Sequence, residues 1–121
     1  MTDIRTVTAQ QVEELRGRPN VQIVDTRPPF SYFGGRIAGA LNLPGRAINL
    51  RVGQIPADRT LVFYDDTIDK AMQGAEAAVA AGFTDVSVLD GGYDSWLDAD
   101  LPTETISDGI TPPAPATPAK S

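Results

Sequence analysis

The chain has 121 residues, 41% of them hydrophobic and 21% charged, and its formal net charge is −6 at pH 7. These values are typical of one globular domain, and they argue against nucleic acid or an anionic membrane as the main partner. Cysteine and histidine do not occur in the sequence, which excludes disulfides, thiolate catalysis and thiolate metal sites and removes the commonest general base.

Predicted helices and strands alternate along the chain. Thr8 and Gln11 form a capping-box pattern that predicts a first helix ending at Gly17. Short apolar runs predict strands at 21–25, 41–43, 61–64 and 86–89. Further helices are predicted from Pro29 to the Gly34-Gly35 pair and over 46–52, 70–81 and 93–99. This alternation predicts an α/β fold with a mostly parallel sheet covered by helices on both faces.

The ends of the chain carry no signal for a membrane or for secretion. No stretch approaches ~18 uninterrupted apolar residues, so we expect no membrane insertion. The first residues lack the pattern of a secretory signal, and the cytoplasm is assigned by default. Past Asp108 the sequence becomes rich in proline and alanine. We therefore predict a domain over 1–105 and, over 106–121, a disordered tail or a linker to another segment.

The loop that follows the predicted strand 61–64 is acidic. It carries Asp65, Asp66 and Asp69 against a single lysine, Lys70. A strand, a tight loop and a helix N-terminus commonly form an anion site, so acidic residues there need an explanation. Either the aspartates accept hydrogen bonds from their own loop amides, with Asp69 as the N-cap of the helix, or they present a permanent negative charge to a partner.

Charge is also segregated along the chain. Residues 1–60 hold eight arginines and five acidic residues, whereas residues 61–108 hold eleven acidic residues and one lysine. The stretch 36–57 contains no acidic residue and three arginines, Arg36, Arg46 and Arg51. That stretch is either a solvated surface or a contact for an acidic partner.

Three segments, in order and at the right intervals, resemble the rhodanese-like family. They are "VQIVDTRPPFSYFGGRIAGALNLP" at 21–44, "LVFYDDTIDKAMQGAEAAVAAGF" at 61–83 and "VSVLDGGYDSW" at 86–96. The resemblance covers roughly residues 4–104. It implies a single small α/β domain around a parallel sheet of about five strands. It also implies that the segment with Asp25 and Arg27 braces the loop. Independently of the resemblance, we expect Trp96 to belong to the core, with its indole N–H hydrogen-bonded nearby.

In that family, the position matching Asp65 is the catalytic cysteine, which carries sulfane sulfur as a persulfide taken from a donor such as thiosulfate. Arg36 stands where many relatives have histidine. A carboxylate cannot carry a persulfide, so sulfur transfer through residue 65 is excluded by chemistry. Our interpretation is a catalytically inactive rhodanese-like domain that acts as a protein-binding or regulatory module, without cofactor or metal. The predicted binding residues are Asp65, Asp66, Thr67, Ile68, Asp69, Lys70, Arg27 and Arg36.

Two alternatives stay open at this point. One is a phosphatase-like enzyme in which Asp65 acts as nucleophile or metal ligand in metal-assisted phosphoryl transfer, with Asp66 and Asp69 as further Mg²⁺ ligands. The other is a purely structural domain of a larger assembly, in which the aspartates only stabilise their own loop.

Overall fold

The computed structural model describes residues 3–45 and 47–105. The helices are α1 (Ala9–Leu15), α2 (Pro29–Gly34), α3 (Ile48–Arg51), α4 (Ile68–Ala80) and α5 (Gly92–Asp98), with a 3-10 turn at Val52–Gln54. The strands are β1 (Arg5–Val7), β2 (Val21–Asp25), β3 (Arg36–Ile37), β4 (Leu41–Asn42), β5 (Thr60–Tyr64), β6 (Val86–Leu89) and β7 (Thr103–Glu104). Each helix and strand predicted above is present, with ends that differ by a residue or two. Arg46 and the predicted tail, 106–121, lie outside the described residues.

Five strands form one parallel sheet in the order β1-β6-β5-β2-β4. This arrangement confirms the predicted parallel α/β fold and places β5 at the centre. The sequence did not predict β1, or the short antiparallel pair of β3 with β7. β1, β3 and β7 have only two or three residues, too few to show an apolar period, and they form because a strand distant in sequence lies beside them.

The sheet separates two hydrophobic clusters. Along β5 the side chains alternate: Leu61 and Phe63 pack in the cluster with α3 and α4, whereas Val62 and Tyr64 pack in the cluster with α1 and α5. Trp96 of α5 is fully buried in the second cluster, and its indole N–H donates to the carbonyl of Pro102 at 2.8 Å. The alternation is the two-residue period of a strand covered on both faces, and it confirms the expected core position of Trp96.

Within residues 3–45 and 47–105, no helix is long and apolar enough to cross a membrane.

Candidate functional site

Thr26 and Asp65 lie side by side because they follow neighbouring parallel strands. Asp25 at the end of β2 pairs with Tyr64 at the end of β5, and the amide of Thr26 donates to the carbonyl of Tyr64 at 3.1 Å. The carboxyl ends of parallel strands are where α/β folds place their binding sites. The next residue on each strand therefore begins a candidate site.

Asp65 is buried, with 5% of its surface exposed. Its Oδ2 accepts a hydrogen bond from the hydroxyl of Thr26 at 2.7 Å, and its Oδ1 accepts one from the amide of Asp66 at 2.6 Å. In the described part of the chain, no lysine or arginine forms an ion pair with this carboxylate. Asp65 is thus a buried acid held by neutral donors rather than by a cation.

The backbone of the loop is held against the start of α5. The amide of Tyr93 donates to the carbonyl of Asp65 at 3.0 Å. A Cβ on Gly92 would lie 2.4 Å from the carbonyl oxygen of Asp66 and 2.9 Å from that of Asp65. Only glycine permits so close an approach, and Gly92 also has a φ of +66°. Gly92, the second residue of the Gly91-Gly92 turn, therefore positions the acidic loop.

The N-terminus of α4 is capped differently from the prediction. Thr67 is the N-cap, and its hydroxyl accepts a hydrogen bond from the amide of Lys70 at 3.4 Å. The assignment of Asp69 as N-cap was wrong, because the helix starts at Ile68 and places Asp69 in its first turn. A carboxylate in the first turn still interacts favourably with the helix dipole. Asp66, Asp69 and Lys70 are exposed.

A pocket of about 500 Å³ opens beside this loop. Its lining combines the two strand ends with residues of α3 and α4: Thr26, Pro28, Gly45, Ile48, Asn49, Asp65, Lys70, Gln73, Gly74 and Ala77. Sequence reasoning missed most of these residues. One signal was available, since Gly74 interrupts the alanine-rich helix. A Cβ there would lie 2.9 Å from Cγ2 of Thr26 and 3.1 Å from Cδ2 of Phe63, so the glycine marks where α4 touches the sheet.

Behind the loop lies a buried ion pair. Arg27 donates through Nη2 to Oδ2 of Asp25 at 2.7 Å, and the side chains are 5% and 0% exposed. The Tyr64 hydroxyl donates to the same carboxylate at 2.6 Å and accepts from the amide of Ile37 at 3.0 Å. This network joins β2, β5 and β3, and the bracing of the loop by Asp25 and Arg27 stays a prediction.

Burial and the ion pair shift pKa values in this network. Burial acts to lower the pKa of Arg27, but the hydrogen bond and charge of Asp25 outweigh it, and the pKa is raised. Burial raises the pKa of Tyr64, and the nearby Asp25 carboxylate raises it further. Arg27 therefore remains a cation and Tyr64 a neutral phenol in the folded protein.

The two predicted arginines make their contacts away from the acidic side chains of the loop. Besides Asp25, Arg27 donates to the carbonyl of Gly35 at 2.6 Å and lies 4.2 Å from the ring centroid of Tyr93. Arg36 is 4% exposed and lies 4.5 Å from the ring centroid of Tyr32. The predicted residues 65–70 therefore lie together in the loop and the start of α4. The guanidinium groups of Arg27 and Arg36 form their ion pairs elsewhere, with Asp25 and Glu104.

The burial of Arg36 corrects one expectation about the arginine-rich stretch 36–57. Its Nε lies 3.6 Å from Oε1 of Glu104 and has no hydrogen-bond partner in the described chain. Arg51 is exposed. The stretch is not one continuous basic surface, because the pairing of β3 with β7 buries its first arginine.

Metal ligands do not converge in the described residues. Across 3–45 and 47–105 there is no group of three or more histidine, cysteine, aspartate or glutamate side chains that could hold a metal ion. The loop aspartates point to different surroundings, since Asp65 is buried while Asp66 and Asp69 are exposed. Within these residues, Asp65, Asp66 and Asp69 therefore do not form the Mg²⁺ site of three carboxylates that one version of the phosphoryl-transfer alternative used.

Comparison with known proteins adds an independent line of evidence. The rhodanese-like domain family matches residues 8–99. The chain is 32% identical over 99 residues to a protein of Shewanella oneidensis named thiosulfate sulfurtransferase GlpE, covering 82% of this chain and 98% of that protein.

Two solved structures are similar to this chain in fold. The rhodanese-like domain of a protein from an Anabaena species has a TM-score of 0.76 at 26% identity, covering 98% of this chain and 92% of that chain. A Rhodopseudomonas palustris protein, described as of unknown function and a possible tyrosine phosphatase, also has a TM-score of 0.76 at 26% identity, covering 84% and 85% of the two chains. Taken with the parallel sheet and the strand-to-helix loop, these matches show that the chain belongs to the rhodanese-like domain family.

Proposed function

We propose that this chain is a catalytically inactive rhodanese-like domain that binds a partner protein through its acidic loop, Asp65 to Lys70. One observation carries the proposal. Asp65, the residue that the resemblance aligns with the catalytic cysteine, is a buried carboxylate hydrogen-bonded to Thr26 and to the next amide. The strand β5, the loop and the helix α4 follow one another as the resemblance leads us to expect, and a carboxylate stands where the resemblance places a thiol.

Sulfur transfer through this residue has no chemical route. The chain contains no cysteine, so no side chain here can be converted to a persulfide. A relative named as a thiosulfate sulfurtransferase is similar along nearly its whole length. That likeness supports descent from a catalytic fold, but the activity needs a thiolate that this chain lacks.

The loop is suited to recognition because its charges are exposed on a firmly held backbone. Asp66 and Asp69 are exposed, while the carbonyls of residues 65 and 66 pack against Gly92 and the amide of Tyr93. A preorganised loop loses little conformational freedom when it binds. Residues 61–108 carry eleven of the sixteen acidic residues, so a basic surface on the partner would be complementary.

Affinity capture from native cell extract tests the proposal. The baits are the parent chain and the variant Asp65→Asn/Asp66→Asn/Asp69→Asn, compared at low and moderate salt and analysed by mass spectrometry. We expect a partner that the parent retains and the variant loses, with weaker retention as salt rises, because exposed charges are screened.

A matched control separates the loop from net charge. The variant Asp58→Asn/Asp98→Asn/Asp100→Asn removes the same charge from exposed positions outside the loop and the pocket, and it should retain the partner. Equal capture by all three baits would refute the proposal and favour a purely structural domain. Hydrolysis of a phosphate ester by the parent, abolished by Asp65→Asn, would instead identify an enzyme.

A further inference from the structure

We propose that the pocket beside Asp65 binds a basic side chain, arginine or lysine, supplied by the partner protein. This inference rests on the proposed function, and it names the chemistry of the group that the partner inserts.

The first argument is the state of the Asp65 carboxylate. It lines the pocket while 95% of the residue is buried, and two donors contact it, the Thr26 hydroxyl and the Asp66 amide. A carboxylate offers about four acceptor positions, so about two remain open. A buried carboxylate without a paired cation is costly. A guanidinium or ammonium group entering the pocket would supply both the missing charge and the missing hydrogen bonds.

The lining of the pocket favours an organic cation over a metal ion. Three apolar residues, Pro28, Ile48 and Ala77, share the wall with the amide side chains of Asn49 and Gln73. The methylene stem of a lysine or arginine packs on such apolar surface while its head finds polar partners. At about 500 Å³ the pocket has room for one such side chain. The described residues hold no cluster of ligands for a metal ion.

The surroundings of the pocket favour a protein over a free small cation. Phe30 of α2 is 89% exposed and Leu50 of α3 is 82% exposed. Each is within two residues of a pocket-lining residue, Pro28 in one case and Asn49 in the other. Large apolar side chains left exposed on the helices that neighbour a pocket in sequence are typical of surfaces that contact another chain.

Lys70 makes it possible to test whether the pocket binds a cation or an anion. It also lines the pocket, it is exposed, and it forms no ion pair with Asp65. In a pocket for an anion, neutralising this lysine weakens binding. In a pocket for a cation, the same change strengthens binding because it removes a repulsive charge.

The experiment is an NMR titration of the full chain with a short blocked alanine peptide that carries one central arginine. The reference peptide has citrulline, which is the neutral isostere of arginine, at the same place. The arginine peptide should shift the amide signals of Thr26, Lys70 and Gln73, and the citrulline peptide should not. Asp65→Asn should weaken the binding about tenfold, since a hydrogen bond between charged groups contributes on that order.

The control is Asp58→Asn. Asp58 is exposed and precedes β5, at the opposite end of that strand from Asp65. Asp58→Asn removes the same charge as Asp65→Asn and should leave the affinity for the arginine peptide unchanged. Lys70→Gln should raise that affinity. Lys70→Gln changes an exposed side chain, so it decides the sign even if Asp65→Asn does not fold.

Several results would overturn the inference. They are equal binding of the citrulline peptide, an unchanged affinity in Asp65→Asn, weaker binding in Lys70→Gln, or spermidine binding as tightly as the peptide. If the arginine peptide fails while capture of the partner still depends on the loop aspartates, the proposed function stands and this inference falls.

Discussion

The hydroxyl of Thr26 donates to Oδ2 of Asp65 at 2.7 Å and thereby joins the ends of two neighbouring parallel strands. Both residues are buried and both line the pocket. The contact makes the aspartate part of the fold as well as part of the proposed binding site, and stability and binding can be tested separately.

Asp65→Ala should lower the free energy of unfolding by about 1–3 kcal/mol, because it leaves the Asp66 amide and the Thr26 hydroxyl without their acceptor. Asp65→Asn retains an acceptor oxygen and should lower the free energy of unfolding by less. Urea denaturation measures the free energy of unfolding of both variants. In a double-mutant cycle with Thr26→Val, the two single changes should not add, because they remove the same hydrogen bond. Strict additivity would show that the contact contributes nothing.

The Asp25–Arg27 pair should be worth far more to the fold than an exposed pair. Arg27→Met leaves a buried carboxylate without its cation and should cost about 3–5 kcal/mol. Arg5 and Asp85 form a pair of similar length, 2.6 Å, with side chains that are 64% and 46% exposed. Arg5→Met should cost less than about 1 kcal/mol. Comparable losses in chemical denaturation would contradict the bracing role of Arg27.

Gly92→Ala should displace the acidic loop or unfold the domain, because the new Cβ would meet the backbone of Asp65 and Asp66. Gly82→Ala is the control. Gly82 has a positive φ of +106° and nothing within 4 Å of the added atom, so it carries only backbone strain, about 1–2 kcal/mol. Thermal denaturation should show the larger loss for Gly92→Ala. Equal losses of thermal stability in the two variants would mean that the loop can move away from the added methyl group without destabilising the domain.

Stability should fall above about pH 10. Burial raises the pKa of Tyr32, Tyr64 and Tyr93, so each keeps its proton in the folded chain after the unfolded chain has lost it near pH 10. The unfolded state then binds fewer protons, and the free energy of unfolding decreases as pH rises. Urea denaturation at several pH values measures this decrease. Tyr64→Phe should flatten it, and a free energy of unfolding that stays constant above about pH 10 would contradict the prediction.

Asp65→Cys tests the placement of the loop. It introduces the only cysteine of the chain, so mass spectrometry after incubation with thiosulfate reports persulfide at one position. We expect little product, because the exposed Asp66 and Asp69 repel an anionic donor. Asp65→Cys/Asp66→Ser/Asp69→Asn should form more. If this variant folds and takes up no sulfur at all, the alignment of residue 65 with the catalytic position is wrong.

Local sequence patterns were enough to predict most helices and strands and to exclude sulfur transfer through a cysteine. Apolar runs between glycines and prolines were enough to predict β2, β5 and β6, and the Thr8–Gln11 capping box is present as predicted. These features depend on neighbours along the chain, which is why they can be read without a structure. The missing cysteine needed no structure either, because a persulfide requires a sulfur atom.

The surroundings of the charged residues depend on contacts between distant segments. Thr26 and Asp65 are 39 positions apart, and Arg36 meets Glu104 through the pairing of β3 with β7. A local pattern assigns Asp69 to the N-cap as readily as Thr67, and the difference depends on where the loop leaves the sheet. The burial of Asp65 and Arg36, and the pocket between α3, α4 and the strand ends, come from contacts between segments far apart in sequence, which no local pattern encodes.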